Sequence, residues 1–199
     1  MAYEAKNYES LIGLTGFSET MLKNHFTLYQ GYVKNVNALL EKLDSLPETT
    51  PGVVPAEYAE MQRRLGWEFN GMRLHELYFE NLMKDSPGCD KDAVLCKQMD
   101  VDFGPEEKSW TKNFKAIAAM RGIGWVVLYW DTVGKRLINT WINEHDVGHL
   151  AGCAPLLVMD VFEHAYMTDY GIKRADYIEA FMKAINWSVV YERFNHATK

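Results

Sequence analysis

Cysteine is scarce in this chain of 199 residues: it has three, Cys89, Cys96 and Cys153, an odd number with no CxxC pair. That argues against a zinc ribbon or a thiol redox motif, and the expectation is three reduced thiols in a cytoplasmic protein. Long apolar runs are missing too. No segment approaches the ~20 residues needed to cross a bilayer, and the first stretch, "MAYEAKNYES", lacks a basic flank followed by an apolar run. The expectation is a chain that is neither membrane-spanning nor exported. Positive charge is the minority: 21 Lys and Arg stand against 27 Asp and Glu, for a formal charge of -6. That balance argues against nucleic acid or an anionic membrane as partner and leaves small molecules and proteins. Internal repeats and low-complexity tracts are absent. The length suffices for one domain with a sizeable core, or two small lobes sharing one.

What is present begins with helical periodicity. From Ser18 to about Leu43 the apolar residues Leu22, Phe26, Tyr29, Val33, Val36 and Leu40 recur at spacings of three or four, which predicts a helix. Ser18 suits the N-cap, and Pro47, Pro51 and Pro55 end the run. A second helical pattern over residues 56–83 places Leu65, Phe69, Met72, Phe79 and Met83 on one face. Together they predict a helical hairpin. After "KDSPGCDKD" the character changes. Residues 105–122 read as helix, and Trp125–Trp130 and Arg136–Ile142 read as a β-hairpin around Gly134. Pro155–Met159 offers a third strand, and "RADYIEAFMKAINWSVVYERF" closes as helix. The expected fold is α+β: an N-terminal helical-hairpin lobe, residues 1–87, docked on a mixed lobe, residues 88–199, with a small three-stranded antiparallel sheet.

The third strand runs into "MDVFEHAYMTDY", where Asp160 and His164 stand four residues apart. In a strand that spacing separates them by roughly 13 Å; in a helical turn they are neighbours. The pair alone is served by a capping aspartate and a polar-contact histidine. His75 lies on the second helix beside Gly71, Tyr78 and Leu82, and His25 shares a stripe of the first helix with Tyr29 and Tyr32. Either alone suits a satisfied core histidine. Three histidines and one carboxylate facing inward suit a first-row divalent or trivalent metal, and iron, manganese and zinc all fit.

The segments "HFTLYQGYV", "FNGMRLHELYFENL", "GIGW", "APLLVMDVFEHAY" and "RADYIEAFMKAINW" together resemble the iron/manganese superoxide dismutase family, in its order and over most of the chain from residue 15 onward. The most specific is the aspartate-to-histidine segment, whose family form is D-x-W-E-H. Phe162 replaces its tryptophan. The resemblance implies one iron or manganese ion per subunit between the lobes, held by His25, His75, Asp160 and His164 with solvent in a fifth place. It implies conversion of superoxide to dioxygen and hydrogen peroxide, with Tyr32 as gate and proton relay and Trp125 and Phe162 as cavity walls. It also implies a homodimer, with tetramers also open, in which Glu163 reaches the partner's metal-binding histidine.

Several positions depart from the family pattern. His25 to Tyr32 spans seven residues where eight is usual, so an ungapped reading would put Asn24 in the ligand place; seven keeps both side chains on one regular helix face, which selects His25. Tyr29 stands where a histidine is common, and Met167 where an interface tyrosine is. The helix glutamine that often contacts the metal's solvent is Gly71, and its sheet-lobe counterpart falls at His145, which is expected to cross into the space Gly71 leaves and hydrogen-bond that solvent. Some iron-containing and cambialistic members carry histidine there, which favours iron. Arg174 is expected near the site entrance as a steering charge. Three rival readings are a zinc site on His145 and His149, a non-haem iron oxygenase, and a relative that binds metal poorly.

Overall fold

A computed structural model describes residues 2–46, 52–104 and 109–199. Pro47 and Pro51, and the first residues of the helix expected from 105, lie outside the described residues. After a 3-10 turn at Glu9–Leu11, helix α1 spans Glu19–Ser45. Ser18 caps it, its Oγ accepting from the Met21 N–H at 3.1 Å, which satisfies one of the free donors of the first turn. Helix α2, Ala56–Glu80, packs against α1 as the other arm of the hairpin. The apolar spacing buries Leu22, Phe26, Tyr29, Val33 and Val36 on α1 against Met72, Tyr78 and Phe79 on α2.

Three strands follow: β1 Gly124–Asp131, β2 Arg136–Asn143 and β3 Cys153–Asp160, in the antiparallel order β2-β1-β3. The central strand β1 is buried along both faces from Gly124 to Trp130, which is why "GWVVLYW" is a continuous apolar run rather than an alternating one. Trp125 pairs with Asp160 across the β1–β3 ladder. That register brings the end of β3 to the face covered by α2.

Around the sheet lie α3 Val94–Phe103, α4 Trp110–Ala118, the short α5 Met167–Tyr170, α6 Arg174–Lys183 and α7 Trp187–Ala197. Two features differ from the sequence-based expectation. The ten-residue α3 was not expected, because only Leu95, Cys96 and Met99 of it are buried and so short an apolar stripe is a weak periodic signal. The closing helix is two helices. The chain breaks at Ala184–Asn186 to pair with the end of α2: Met83 N–H donates to Ala184 O at 2.8 Å and Asn186 N–H to Asn81 O at 2.7 Å.

Cys89 and Cys96 are joined by a disulfide, and Cys153 alone is free. This corrects the expectation of three reduced thiols and removes the support that those thiols gave to a cytoplasmic reading. The pair was hidden because the loop after α2 turns back through Gly88, at φ 83°, and lays Cys89 against the first turn of α3. Among the described residues no helix is long and apolar enough to cross a membrane.

Candidate metal centre

Four side chains from three parts of the chain meet where the hairpin faces the sheet. α1 supplies His25, α2 supplies His75, β3 ends on Asp160, and the 3-10 turn Glu163–Ala165 supplies His164. One ligand atom from each lies within 4.8 Å of the others. His25 Nε2 and His164 Nε2 each stand 3.1 Å from Asp160 Oδ2, and His75 Nε2 stands 3.6 Å from it. The backbone does bend directly after the strand, so Asp160 and His164 share one turn; Asp160 Oδ1 accepts from the Phe162 N–H at 2.8 Å. His25 is 2% exposed while its neighbour Asn24 faces solvent.

The donor set fits a metal ion. His75 Nδ1 lies 2.6 Å from the Gly71 carbonyl; a carbonyl only accepts, so Nδ1 carries the hydrogen and Nε2 presents a lone pair. That Nε2 is fully buried and has no hydrogen-bond partner among the described residues, a costly arrangement unless something electrophilic takes it up. Burial, followed by the neighbouring His25, pushes the His75 imidazole well below its ordinary value, and burial also lowers His25. Both are therefore neutral, as ligation requires. Burial alone would raise the Asp160 carboxyl, but the charge and hydrogen bond of His164 and the hydrogen bond from His25 outweigh it and hold Asp160 well below the usual carboxylate range. Tyr177 Oη donates to the Asp160 backbone carbonyl at 2.7 Å and Tyr78 Oη sits 3.1 Å from Tyr177 Oη. Sequence reasoning missed Tyr177, since nothing in "RADY" shows which strand that tyrosine will meet.

Beside this cluster stand Tyr32 and His145, with Tyr32 Oη 2.8 Å from His145 Nε2. Trp125 Nε1–H donates to His145 Nδ1 at 3.0 Å. An indole can only donate, so neutral His145 holds its hydrogen on Nε2 and gives it to Tyr32. Burial lowers the His145 imidazole to about 4, and burial together with the Asp160 charge raises the Tyr32 phenol. Both nitrogens of His145 are thus committed to protein groups. The expectation that His145 reaches the metal's solvent directly is not what the geometry offers: it is Tyr32 whose own hydroxyl hydrogen remains available.

Gly71 matters for a different neighbour than expected. A Cβ there would lie 2.6 Å from the Tyr32 ring, so the space it leaves is filled by Tyr32 from α1, which stacks on His75 with ring centroids 5.1 Å apart. Trp125 is fully buried against His75, 4.9 Å between rings, and Phe162 stacks between His145 and His164 at 4.8 and 5.2 Å. Tyr29, which stands where the family often has a histidine, is 1% exposed, and its hydroxyl donates to the buried Glu76 at 3.0 Å. Arg174 donates to the carbonyls of Ala118, Met120, Gly122 and Val161. It clamps the loop before β1 to the end of β3, because a five-donor guanidinium satisfies several carbonyls at once. Glu163 points to solvent and His164, with 25% of its side chain exposed, is the most open member of the cluster. A cavity of about 930 Å³ lined by Met99, Trp110 and Trp187 among others lies apart from the four metal-facing residues, none of which lines it.

Residues 91–193 match the family profile described as iron/manganese superoxide dismutases, C-terminal domain. The chain is 38% identical to an iron superoxide dismutase of Aquifex pyrophilus, over 98% of this chain and 92% of that one. It is 36% identical to an iron superoxide dismutase of Cupriavidus metallidurans, over 94% and 92% of the two chains. It is 32% identical to a manganese superoxide dismutase of Haloferax volcanii, over 88% and 85%.

Proposed function

The chain belongs to the iron/manganese superoxide dismutase family and is a superoxide dismutase, and from that premise we propose how its own residues carry the activity. His25, His75, Asp160 and His164 hold one ion at the seam between residues 1–87 and 88–199, two ligands from each part. The observation that carries this reading is the buried, unpartnered Nε2 of His75 aimed at Asp160 and two further imidazoles. The relatives named for iron at 36–38% identity and the histidine at position 145 support iron over manganese. An ion held there would supply one-electron redox chemistry, by which one superoxide is oxidised to dioxygen and a second is reduced, with two protons, to hydrogen peroxide.

The protein's part is to orient, to keep water out and to hold protons. Asp160 is the only anion of the cluster and balances the ion's charge in a site that solvates charge poorly. The Gly71 carbonyl fixes the tautomer and ring plane of His75, as outer partners of ligating histidines do. Trp125 and Phe162 wall the cavity. Tyr32 Oη holds a proton that can be passed to reduced oxygen, and the His145 Nε2–H, donated to Tyr32 Oη at 2.8 Å, orients that hydroxyl and stabilises the oxygen once its own proton has left. The charge of -6 opposes an anionic substrate, and Arg174, whose guanidinium donates to the Val161 carbonyl directly after Asp160, is the basic side chain this reading assigns to local attraction.

The same reading includes a homodimer in which Glu163, exposed in the single chain, orients the partner's metal-binding histidine. What supports it is the adjacency of Glu163 to His164 on the most open side of the cluster. The experiment for the whole reading is metal analysis and superoxide turnover on the same preparations. One iron or manganese per chain and turnover proportional to occupancy are expected; equal turnover in metal-free protein would contradict it.

A further inference from the structure

The loop between β2 and β3 carries His145 on a short, tightly folded path. Asn143 and Val147 close it with reciprocal backbone hydrogen bonds of 2.7 and 3.3 Å. Glu144 sits in the left-handed region at φ 49°, a conformation uncommon for a residue with a side chain. Its carboxylate accepts from Trp67 Nε1–H at 3.1 Å. A Cβ at Gly148, φ 108°, would lie 2.7 Å from the Trp141 carbonyl. A loop folded this way needs a tie to the sheet if the imidazole at its tip is to keep one position.

His149 makes that tie. Its Nε2 lies 2.8 Å from the His145 backbone carbonyl, which can only accept, so Nε2 carries the hydrogen. Its Nδ1 lies 2.9 Å from Tyr129 Oη and in that tautomer accepts from the hydroxyl. Burial raises the Tyr129 phenol to about 12, which keeps it a donor at neutral pH. Tyr129 is 3% exposed on the central strand and pairs with Ile138 and Pro155 in the flanking strands. Trp125, four residues earlier, projects from the same face of β1. One strand therefore grips His145 twice: Trp125 holds its imidazole, and Tyr129 holds its backbone through His149.

We propose that His149 and Tyr129 are positioning residues for His145, linking the loop tip beside the metal site to the central strand. This rests on the reading of His145 and Tyr32 above, and it gives His149 a role outside both ligation and a separate zinc site. Without the tie, the backbone of the loop is held by the Asn143–Val147 pair, by the Glu144 N–H donated to the Ile123 carbonyl at 3.2 Å and by Trp67 on the Glu144 side chain. The Nε2–H of His145 then samples positions away from Tyr32 while the four metal-facing side chains stay in place.

The test compares His149→Ala, His149→Gln and Tyr129→Phe in the full chain, loaded with metal and metal-free. Glutamine keeps one donor and one acceptor at its tip, so it can bridge the same two groups. In His149→Ala, metal content should match the wild type. Turnover should fall on the order of 10-fold, the lower end of what outer partners of metal sites cost. In the metal-free chain, the Trp125 indole N–H should exchange with solvent faster, because its acceptor has lost its fixed place. His149→Gln should recover most of both readouts, and Tyr129→Phe should lose part of each. Wild-type exchange or wild-type turnover in His149→Ala overturns the proposal. So does a glutamine variant no better than alanine, or a turnover loss fully accounted for by lost metal. Should His149→Ala not accumulate as folded protein, Tyr129→Phe, which removes a single hydroxyl, decides on the same readouts. A failure of the underlying reading would look different: His145→Ala itself would leave turnover unchanged.

Discussion

At the scale of the residue, the centre is a problem of burying groups that prefer water and giving each a partner. His145 shows it most simply. Its ordinary value of 6.5 is lowered to about 4 by burial, so between those values the unfolded chain binds the proton and the folded chain does not. Stability from this group is full above pH 6.5 and is lost as pH falls towards 4. For the metal-free protein, that is about 2 kcal/mol between pH 7 and pH 5. His145→Gln, which cannot titrate, should shrink the stability difference between those two pH values by about that amount in urea denaturation; an unchanged difference would mean that His145 is not held neutral. The ligand-type residues were legible because inward-facing histidines and a strand-terminal aspartate are unusual in a core. The tautomer of His145, the use of Gly71 by Tyr32 and the pairing of the Tyr29 hydroxyl with Glu76 were not. They depend on which donor meets which acceptor across elements, and no local spacing encodes that.

At the scale of the element, legibility followed the strength of the period. The long α1 and the strands β1 and β3 have apolar patterns that agree with their burial over many residues, whereas on α2 Met72 and Phe79 of the expected face are buried but Leu65 and Phe69 only partly so, with Glu68, His75 and Glu76 buried instead. The ten-residue α3 and the break between α6 and α7 have no such pattern. The break is imposed from outside the segment: the backbone at Ala184–Asn186 pairs with Asn81–Met83, overriding a sequence that would continue as helix. Asn81 is the hub. It is fully buried, its backbone carbonyl accepts from Asn186 N–H, and its Oδ1 accepts from Val158 N–H at 2.8 Å. Asn81→Ala should strand the buried Val158 N–H and cost about 1–3 kcal/mol, seen as a lower urea midpoint with an unchanged slope. A loss under 0.5 kcal/mol, the surface-substitution range, would show that water or a shift of β3 satisfies that donor.

At the scale of the whole molecule, the site exists only because the helical hairpin and the sheet are docked: α1 and α2 bring two imidazoles, and β3 with the turn after it brings a carboxylate and a third. The lobe order and the small antiparallel sheet were legible in the sequence, while the Cys89–Cys96 disulfide was not, because a spacing of seven belongs to no motif. The proposed dimer is tested at the most open edge of the cluster. Glu163→Ala should shift sedimentation towards a single chain and lower metal retention together, since one contact serves both; unchanged sedimentation and metal content would make Glu163 a solvated surface acid. The central claim is that the ion is held by side chains contributed from both sides of the seam, beginning with His25. Metal content and superoxide turnover of His25→Ala and Asn24→Ala, measured on the same preparations, test it most directly. The account predicts that His25→Ala loses metal and turnover in parallel while Asn24→Ala keeps both; equal metal content and turnover in the two variants would contradict it.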